Sequence, residues 1–396
     1  MSWGHATSDD LANWTEVEPA LLADELEMVF SGSAVIDRTN SSGFGHDAMI
    51  ALYTAARREP VPNQAQALAQ SSDRGTTWTR YAGNPVLDLA MADFRDPYVF
   101  RHEASDSWVM VVVKSNEQVA QIYRSADLLH WALASEINAG AAPGKVWECP
   151  TLIELPICGR ETSRWLFKVD ALHDAPGAGA LYITGHFDGY RFTQADDWQV
   201  VDAGRDFYAA IAWNGPRDNA GRPAWIGWMG NHAYQHQFPK RGWRGVMSVP
   251  RRMGLVERDG GLKLAQHVEP SVAGLFRDFA PIAANPVVPL SSWIELAGDF
   301  SGSLDLTDGA GSRFGVRTAD GGWSFTREDE ALPFLSCESF LERRDGEGLA
   351  LLIDSETIEA FTTSGTGCAS FQHRPEGGRL SLETDQPKRL TVAALA

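Results

Sequence analysis

The sequence predicts an all-β fold: a five-bladed β-propeller with an incomplete first blade, followed by a C-terminal β-sandwich. Three observations carry this. No long stretch has helical periodicity, and short β-rich runs alternate with Gly, Asn, Asp and Pro turns throughout. A turn carrying Asp and closing on an aromatic residue recurs at residues 8–14, 71–78 and 125–131, and more loosely at 187–192. Its recurrence roughly every 55–65 residues suits a four-stranded blade. Near residue 270 the texture changes to a short helix-like stretch and then a meander of strands.

In chain order, Trp14, Trp78 and Trp131 end the repeated turns and are expected in the core between blades, while Asp9, Asp10, Asp73 and Asp127 are expected to cap those turns. About 18 residues after each Trp a new strand opens, at Ser33, Asp96 and Glu148, with Asp206 next in the series. These would be the innermost strands of successive blades, their first residues converging on one polar pocket. Asp96 precedes the turn residue Asp127 by 31 positions and Glu148 precedes Asp188 by 40; counted back from Asp10, this puts a further axial residue about 20–30 positions before Met1, so the first blade is expected to be incomplete. Residues 225–252 read as the last blade, with a basic loop at 240–244. The expected domains are residues 1–269, a linker at 270–286, and a sandwich at 287–396.

Lys145-Val146-Trp147-Glu148-Cys149-Pro150 is the most informative stretch. Pro150 biases Cys149 to an extended conformation, so Glu148 stands where a loop enters the strand 151–155. Apolar neighbours there would desolvate the carboxyl and favour its protonated form, as a general acid requires.

Composition excludes several functions. The chain is 44% hydrophobic and 22% charged, an ordinary globular balance. A net charge of -18 argues against nucleic acid and against an anionic membrane surface. The apolar run 108–113 is too short to span a bilayer. No basic start followed by an apolar stretch is visible, so a cytoplasmic location is expected, with secretion the alternative should a segment precede Met1. Four cysteines at 149, 158, 337 and 368 fit no zinc spacing and are expected as thiols, a Cys337–Cys368 bridge being the alternative.

The motifs Trp3-Gly4-His5-Ala6, Phe30-Ser31-Gly32-Ser33-Ala34, Phe94-Arg95-Asp96-Pro97, Trp147-Glu148-Cys149-Pro150 and Trp228-Met229 through Pro250-Arg251 occur in this order. Together they resemble glycoside hydrolase family 32, the invertases, levanases and inulinases. Residues 352–361 look like that family's sandwich signature. The resemblance implies a five-bladed propeller plus sandwich, and retaining hydrolysis of terminal β-D-fructofuranosides such as sucrose or fructan, with no cofactor and no metal. It implies Glu148 as acid/base and Asp96 as the carboxylate that holds the fructosyl hydroxyls. Arg95 would lie beside them, Phe30 and Ser33 would touch fructose, and Cys149 would tune the acid. Trp147 and Asp206 complete the expected substrate site. The family's nucleophile, an Asp in an Asn-Asp-Pro motif, has no counterpart in these 396 residues, so this chain is expected to be impaired. A non-catalytic fructan-binding protein and a fructosyltransferase are the alternatives. A small or oligomeric fructoside is the expected partner, and the chain is expected as a monomer or homodimer.

Overall fold

The computed structural model describes residues 1–138, 144–172, 174–215, 217–239, 245–282 and 286–395. The basic loop at 240–244 and part of the expected linker, 283–285, lie outside these. By density of contacts the chain divides into two units. The first is Met1–Asp174, Leu181–Gln199 and Ile211–Trp225, and the second is Ala175–Ala180, Val200–Ala210 and Ile226–Ala396.

The first unit is built from antiparallel sheets. Strands β1 (Trp3–Thr7) and β2 (Thr15–Leu21) form a two-stranded sheet. Strands β3 (Met28–Asp37), β4 (Ala48–Arg57), β5 (Asn63–Ser71) and β6 (Thr79–Arg80) form a second, ordered as in the chain. Strands β7 (Phe94–His102), β8 (Ser107–Lys114), β9 (Val119–Ser125) and β10 (Ala132–Ile137) form a third. Strands β11 (Glu148–Pro156), β12 (Ser163–Asp170), β13 (Ala180–Phe187) and β14 (Phe192–Gln194) form most of a fourth. Apolar residues of β3, β4, β7 and β8, Val35, Leu52, Val99 and Met110 among them, share one buried cluster.

The repeated turns form as expected, and their chemistry is shared. Asp10 accepts from the N–H groups of Ala12 and Asn13, Asp127 from those of Leu129 and His130, and Asp188 from those of Tyr190 and Arg191. Asp73 accepts from Thr77 N–H. In the first and third turns the indole N–H of Trp14 or Trp131 donates to the carbonyl of Leu11 or Leu128. Both leucines sit at positive φ, at 64° and 66°. Trp78 and Trp131 pack against buried clusters. Trp14 does not: it is 43% exposed, touching Trp213 edge-on. The two-stranded first sheet is exposed along most of β2; its Leu21 and Trp3 join a buried cluster with Tyr53 and Ala67, which Trp14 does not reach.

A fifth sheet has most of its residues in the second unit, with strands Tyr208–Ala212, Ala224–Met229, Arg251–Arg258 and Gly261–Val268 in that order. Two six-stranded antiparallel sheets follow, enclosing a core that includes Ile294, Phe314, Trp323, Leu351 and Phe371. Five small sheets and then two facing larger ones are the parts of a propeller and a sandwich, the expected all-β class. Pro270–Ala273 is a single helical turn, at the predicted helix-like stretch. All four cysteines are free thiols.

By density of contacts, residues 226–269 group with the sandwich. A buried ion pair also links these residues to the sandwich. Arg251 is fully buried, donating to Glu359 at 2.6 Å, to Asp202 at 3.1 Å and to Ser370 at 2.6 Å. Glu359 also accepts Val249 N–H at 2.8 Å. The two ends of the resemblance, Arg251 and the signature around Glu359, are thus one buried ion pair. Breaking such a pair strands a desolvated charge. Glu359→Gln is therefore expected to lose about 3–5 kcal/mol in urea unfolding; a loss below about 1 kcal/mol would contradict this account.

Candidate functional site

The site forms where β3, β7 and β11 begin. Each of these strands carries a register break against its neighbour near its start: between Val29 and Gly32, between Arg95 and Tyr98, and between Glu148 and Thr151. A bulge of this kind kinks the strand and re-aims its side chains. In two of the three the backbone passes through the left-handed region, at Asp96 (φ 66°) and Cys149 (φ 47°). Both precede proline, and the extended conformation expected for Cys149 is not found. In the third, Gly32 lies against β4 so closely that a Cβ there would meet Leu52 O at 2.0 Å.

These bulges bring the predicted residues together. Cys149 N–H donates to Asp96 Oδ2 at 2.8 Å, across two strands. Asp96 N–H donates to Thr54 Oγ1 at 2.8 Å. That hydroxyl lies 3.2 Å from Ser31 O and 3.1 Å from Gln66 Oε1, and Gln66 Nε2 donates to Phe94 O at 2.8 Å. Arg95 Nη1 donates to Glu148 Oε1 at 3.0 Å. Arg95, Glu148 and Phe30 are partly exposed, whereas Asp96 is only 5% exposed. Glu148 was expected in an apolar setting; it is instead paired with a guanidinium. The carboxyl that burial pushes up is Asp96, to about 6, with the nearby Glu148 charge adding to the effect.

Beneath the cluster, Lys168 and Asp170 of β12 form a fully buried ion pair, and Lys168 Nζ also donates to Cys149 O at 3.3 Å. Burial pushes Asp170 up to about 7, against the pull of Lys168, and raises the Cys149 thiol well above its ordinary range. Neither Lys168 nor Thr54 figured in the sequence reading. Charged residues in the otherwise apolar run 165–170 were the available signal for the first; Thr54 offered none.

Three predicted substrate contacts have other work in this structure. Trp147 is fully buried against Phe167 and Trp198, with its backbone N–H donating to Ser115 O at 3.0 Å; it holds Glu148 in place rather than offering a surface. Ser33 Oγ donates to Pro97 O and accepts Val99 N–H, both at 2.9 Å, joining β3 to β7. Asp206, in the second unit, is fully buried, and its oxygens take Tyr234, Arg327 (2.7 Å) and the Gln372 N–H (2.9 Å). An ion pair occupies the carboxylate expected to meet a sugar. Among the described residues, no group of three or more His, Cys, Asp or Glu could hold a metal ion.

Two unlike carboxyls, one buried and one paired with arginine, thus stand together at the heads of bulged strands in a propeller-type chain. The family model described as the glycosyl hydrolases family 32 N-terminal domain matches residues 1–267. The chain belongs to glycoside hydrolase family 32. A levanase of Bacillus subtilis is 36% identical over 348 residues, covering 83% of this chain and 50% of the levanase. An extracellular exo-inulinase of Aspergillus niger is 39% identical over 297 residues, covering 64% and 54%. The chain thus spans about half the length of these curated relatives. The crystal structure of an exo-inulinase from Aspergillus awamori superposes with a TM-score of 0.86 at 27% identity, over 100% of this chain and 90% of that one. A β-fructofuranosidase from Schwanniomyces occidentalis, complexed with fructosyl-erythritol, gives 0.85 at 26% identity over 99% and 88%.

Two expectations follow. Gly32→Ala forces a side chain into the β4 backbone and should cost about 3 kcal/mol, the upper end of ordinary over-packing, in urea unfolding; a change under about 0.5 kcal/mol would remove the steric argument. The second concerns pH. The folded value of Asp96, about 6, lies above its ordinary 3.8, so the folded protein binds the extra proton between these limits. The cost of the buried charge is fully present above pH 6 and is relieved as pH falls toward 3.8. Asp96→Asn removes that cost, so its stability relative to wild type should improve by about 1.5 kcal/mol between pH 5 and pH 7.5. A relative stability independent of pH would refute it.

Proposed function

We propose that this chain is the sugar-processing part of a β-fructofuranosidase, acting on terminal β-D-fructofuranosides such as sucrose or fructan. The observation that carries the reading is the cluster Asp96–Cys149–Glu148–Arg95 at the heads of adjoining bulged strands. Family membership and relatives named levanase and exo-inulinase support it.

In this reading Glu148 is the acid/base. It protonates the glycosidic oxygen as the bond to the fructosyl carbon breaks, and later takes a proton from the entering water. Arg95 orients its carboxyl from one side, and Trp147 fixes the backbone from beneath. Asp96 accepts hydrogen bonds from fructosyl hydroxyls, and those bonds tighten as positive charge develops on the ring. Phe30 supplies an apolar wall at the pocket mouth. Asp206, Ser33 and Trp147 act by holding structure rather than by touching sugar. Retaining chemistry also needs a second carboxylate as nucleophile, about 5–5.5 Å from the acid. The nucleophile motif has no counterpart in these 396 residues, and Asp96 is engaged by Cys149 N–H. The chain alone is accordingly a slow catalyst that still binds fructose.

Released fructose from sucrose, inulin and levan, together with calorimetry with fructose, tests the proposal. Fructose binding with turnover below about 1 per second is expected, since ordinary enzymes run at about 1–1,000 per second. Turnover within that range would overturn the slow-catalyst statement. Glu148→Gln should lower any residual turnover by about 100-fold or more. Absence of both fructose binding and fructose release would overturn the assignment.

A further inference from the structure

The strands that open at the carboxyl cluster also line a second cavity at their other ends. It has a volume of about 710 Å³, within the roughly 300–1,000 Å³ of small-molecule sites. On β11 it runs from Leu152 to Glu154, about 13–20 Å along an extended strand from Glu148, and on β7 it starts at Tyr98, two residues after Asp96; Arg95, Asp96, Glu148 and Cys149 are not among its lining residues. It therefore does not belong to the site described above.

Its walls are prearranged. Asn214 Nδ2 donates to Ala34 O of β3 at 3.1 Å and to Val99 O of β7 at 2.8 Å. Arg217 Nη1 donates to Glu154 O of β11 at 3.0 Å. One short loop is thus fastened to all three strands by side chains that satisfy edge carbonyls. Two partly exposed indoles face the cavity. Trp165 is clamped by Phe187 at 4.9 Å and Phe100 at 5.4 Å between ring centroids, and Trp213 rests on Trp14. Rigid indoles present apolar faces at little entropic cost.

The polar lining balances. Arg38, Arg101 and Arg217 oppose Glu103, Asp106 and Glu154, so the cavity favours neither sign. Burial holds His102 below its ordinary value and hence neutral near pH 7. Fixed indole faces with donors and acceptors of both kinds suit a ligand with C–H faces and many hydroxyls. We propose that this cavity is a second carbohydrate-binding site, taking a neutral oligosaccharide and acting in binding rather than cleavage.

Calorimetric titration with maltotetraose and, with the carboxyl pocket saturated by fructose, with nystose tests it, using wild type, Trp213→Ala and Arg38→Met. Arg38 is exposed and pairs with the exposed Asp47, so its replacement leaves the fold intact. Wild type should bind at least one of the two oligosaccharides at this site. That event should weaken roughly tenfold or more, as loss of a stacked ring or of a hydrogen-bonding head implies, in whichever variant melts like wild type. Fructose binding, which reads the carboxyl pocket, should be unchanged in both. No oligosaccharide binding by wild type, or unaltered binding in both variants, would overturn this site. Absence of both fructose binding and fructose release in wild type would instead overturn the β-fructofuranosidase reading and leave this site standing if the oligosaccharide binds.

Discussion

The hydrogen bond from Cys149 N–H to Asp96 Oδ2 is the interaction on which the pocket depends. Both residues hold the backbone in the left-handed region, at a cost of order 1–3 kcal/mol each. Each is followed by a proline, which contributes no donor of its own. The bulge that turns β11 would leave the Cys149 N–H unpaired in a buried place, and Asp96 is the acceptor that prevents it. Thr54 does the same for the Asp96 N–H. The two bulges therefore satisfy one another and the adjoining strand, and the carboxyl is part of the scaffold before any ligand arrives.

That dual use explains the electrostatics. Asp96 is buried because it is a structural acceptor, and burial in turn keeps its charge costly. Glu148, on the next strand and closer to solvent, has its charge met by Arg95. Two carboxyls a strand apart thus acquire different environments from the geometry of two bulges. Lys168, paired with Asp170 on β12, ties the Cys149 carbonyl, so the N–H and the carbonyl of Cys149, on successive peptide groups, are each held by an ionisable side chain.

Much of this was legible in the sequence. The Asp turns were readable because short polar side chains that bond their own backbone leave a local signature, as Asp10, Asp127 and Asp188 do. The position of Asp96 and Glu148 at strand starts followed from the repeat. What the sequence concealed is long-range. Thr54 and Gln66 are ordinary strand residues until β7 is laid beside them. Proline at 150 argues locally for an extended Cys149, yet the tertiary bond to Asp96 outweighs that preference. Trp14 reads like Trp78 and Trp131, but an indole is buried only when a neighbouring sheet covers it. Asp206 follows the repeat as faithfully as Asp96 and still ends in an ion pair, because Arg327, 121 residues later in the chain, reaches it.

The buried arginines of the second unit carry a consequence for how the polypeptide can be dissected. Arg251 lies before residue 269 and its partner Glu359 after it; Asp206 lies before and Arg327 after. A fragment ending at 269 would keep Arg251 with Asp202 but without Glu359, and Asp206 without Arg327, uncovering to solvent the charged groups that the C-terminal sheets now pair and bury. Within the second unit, the segment that carries Asp206 and Arg251 and the C-terminal sheets are therefore not separable modules, and those sheets are better regarded as the counter-ions of the segment that precedes them.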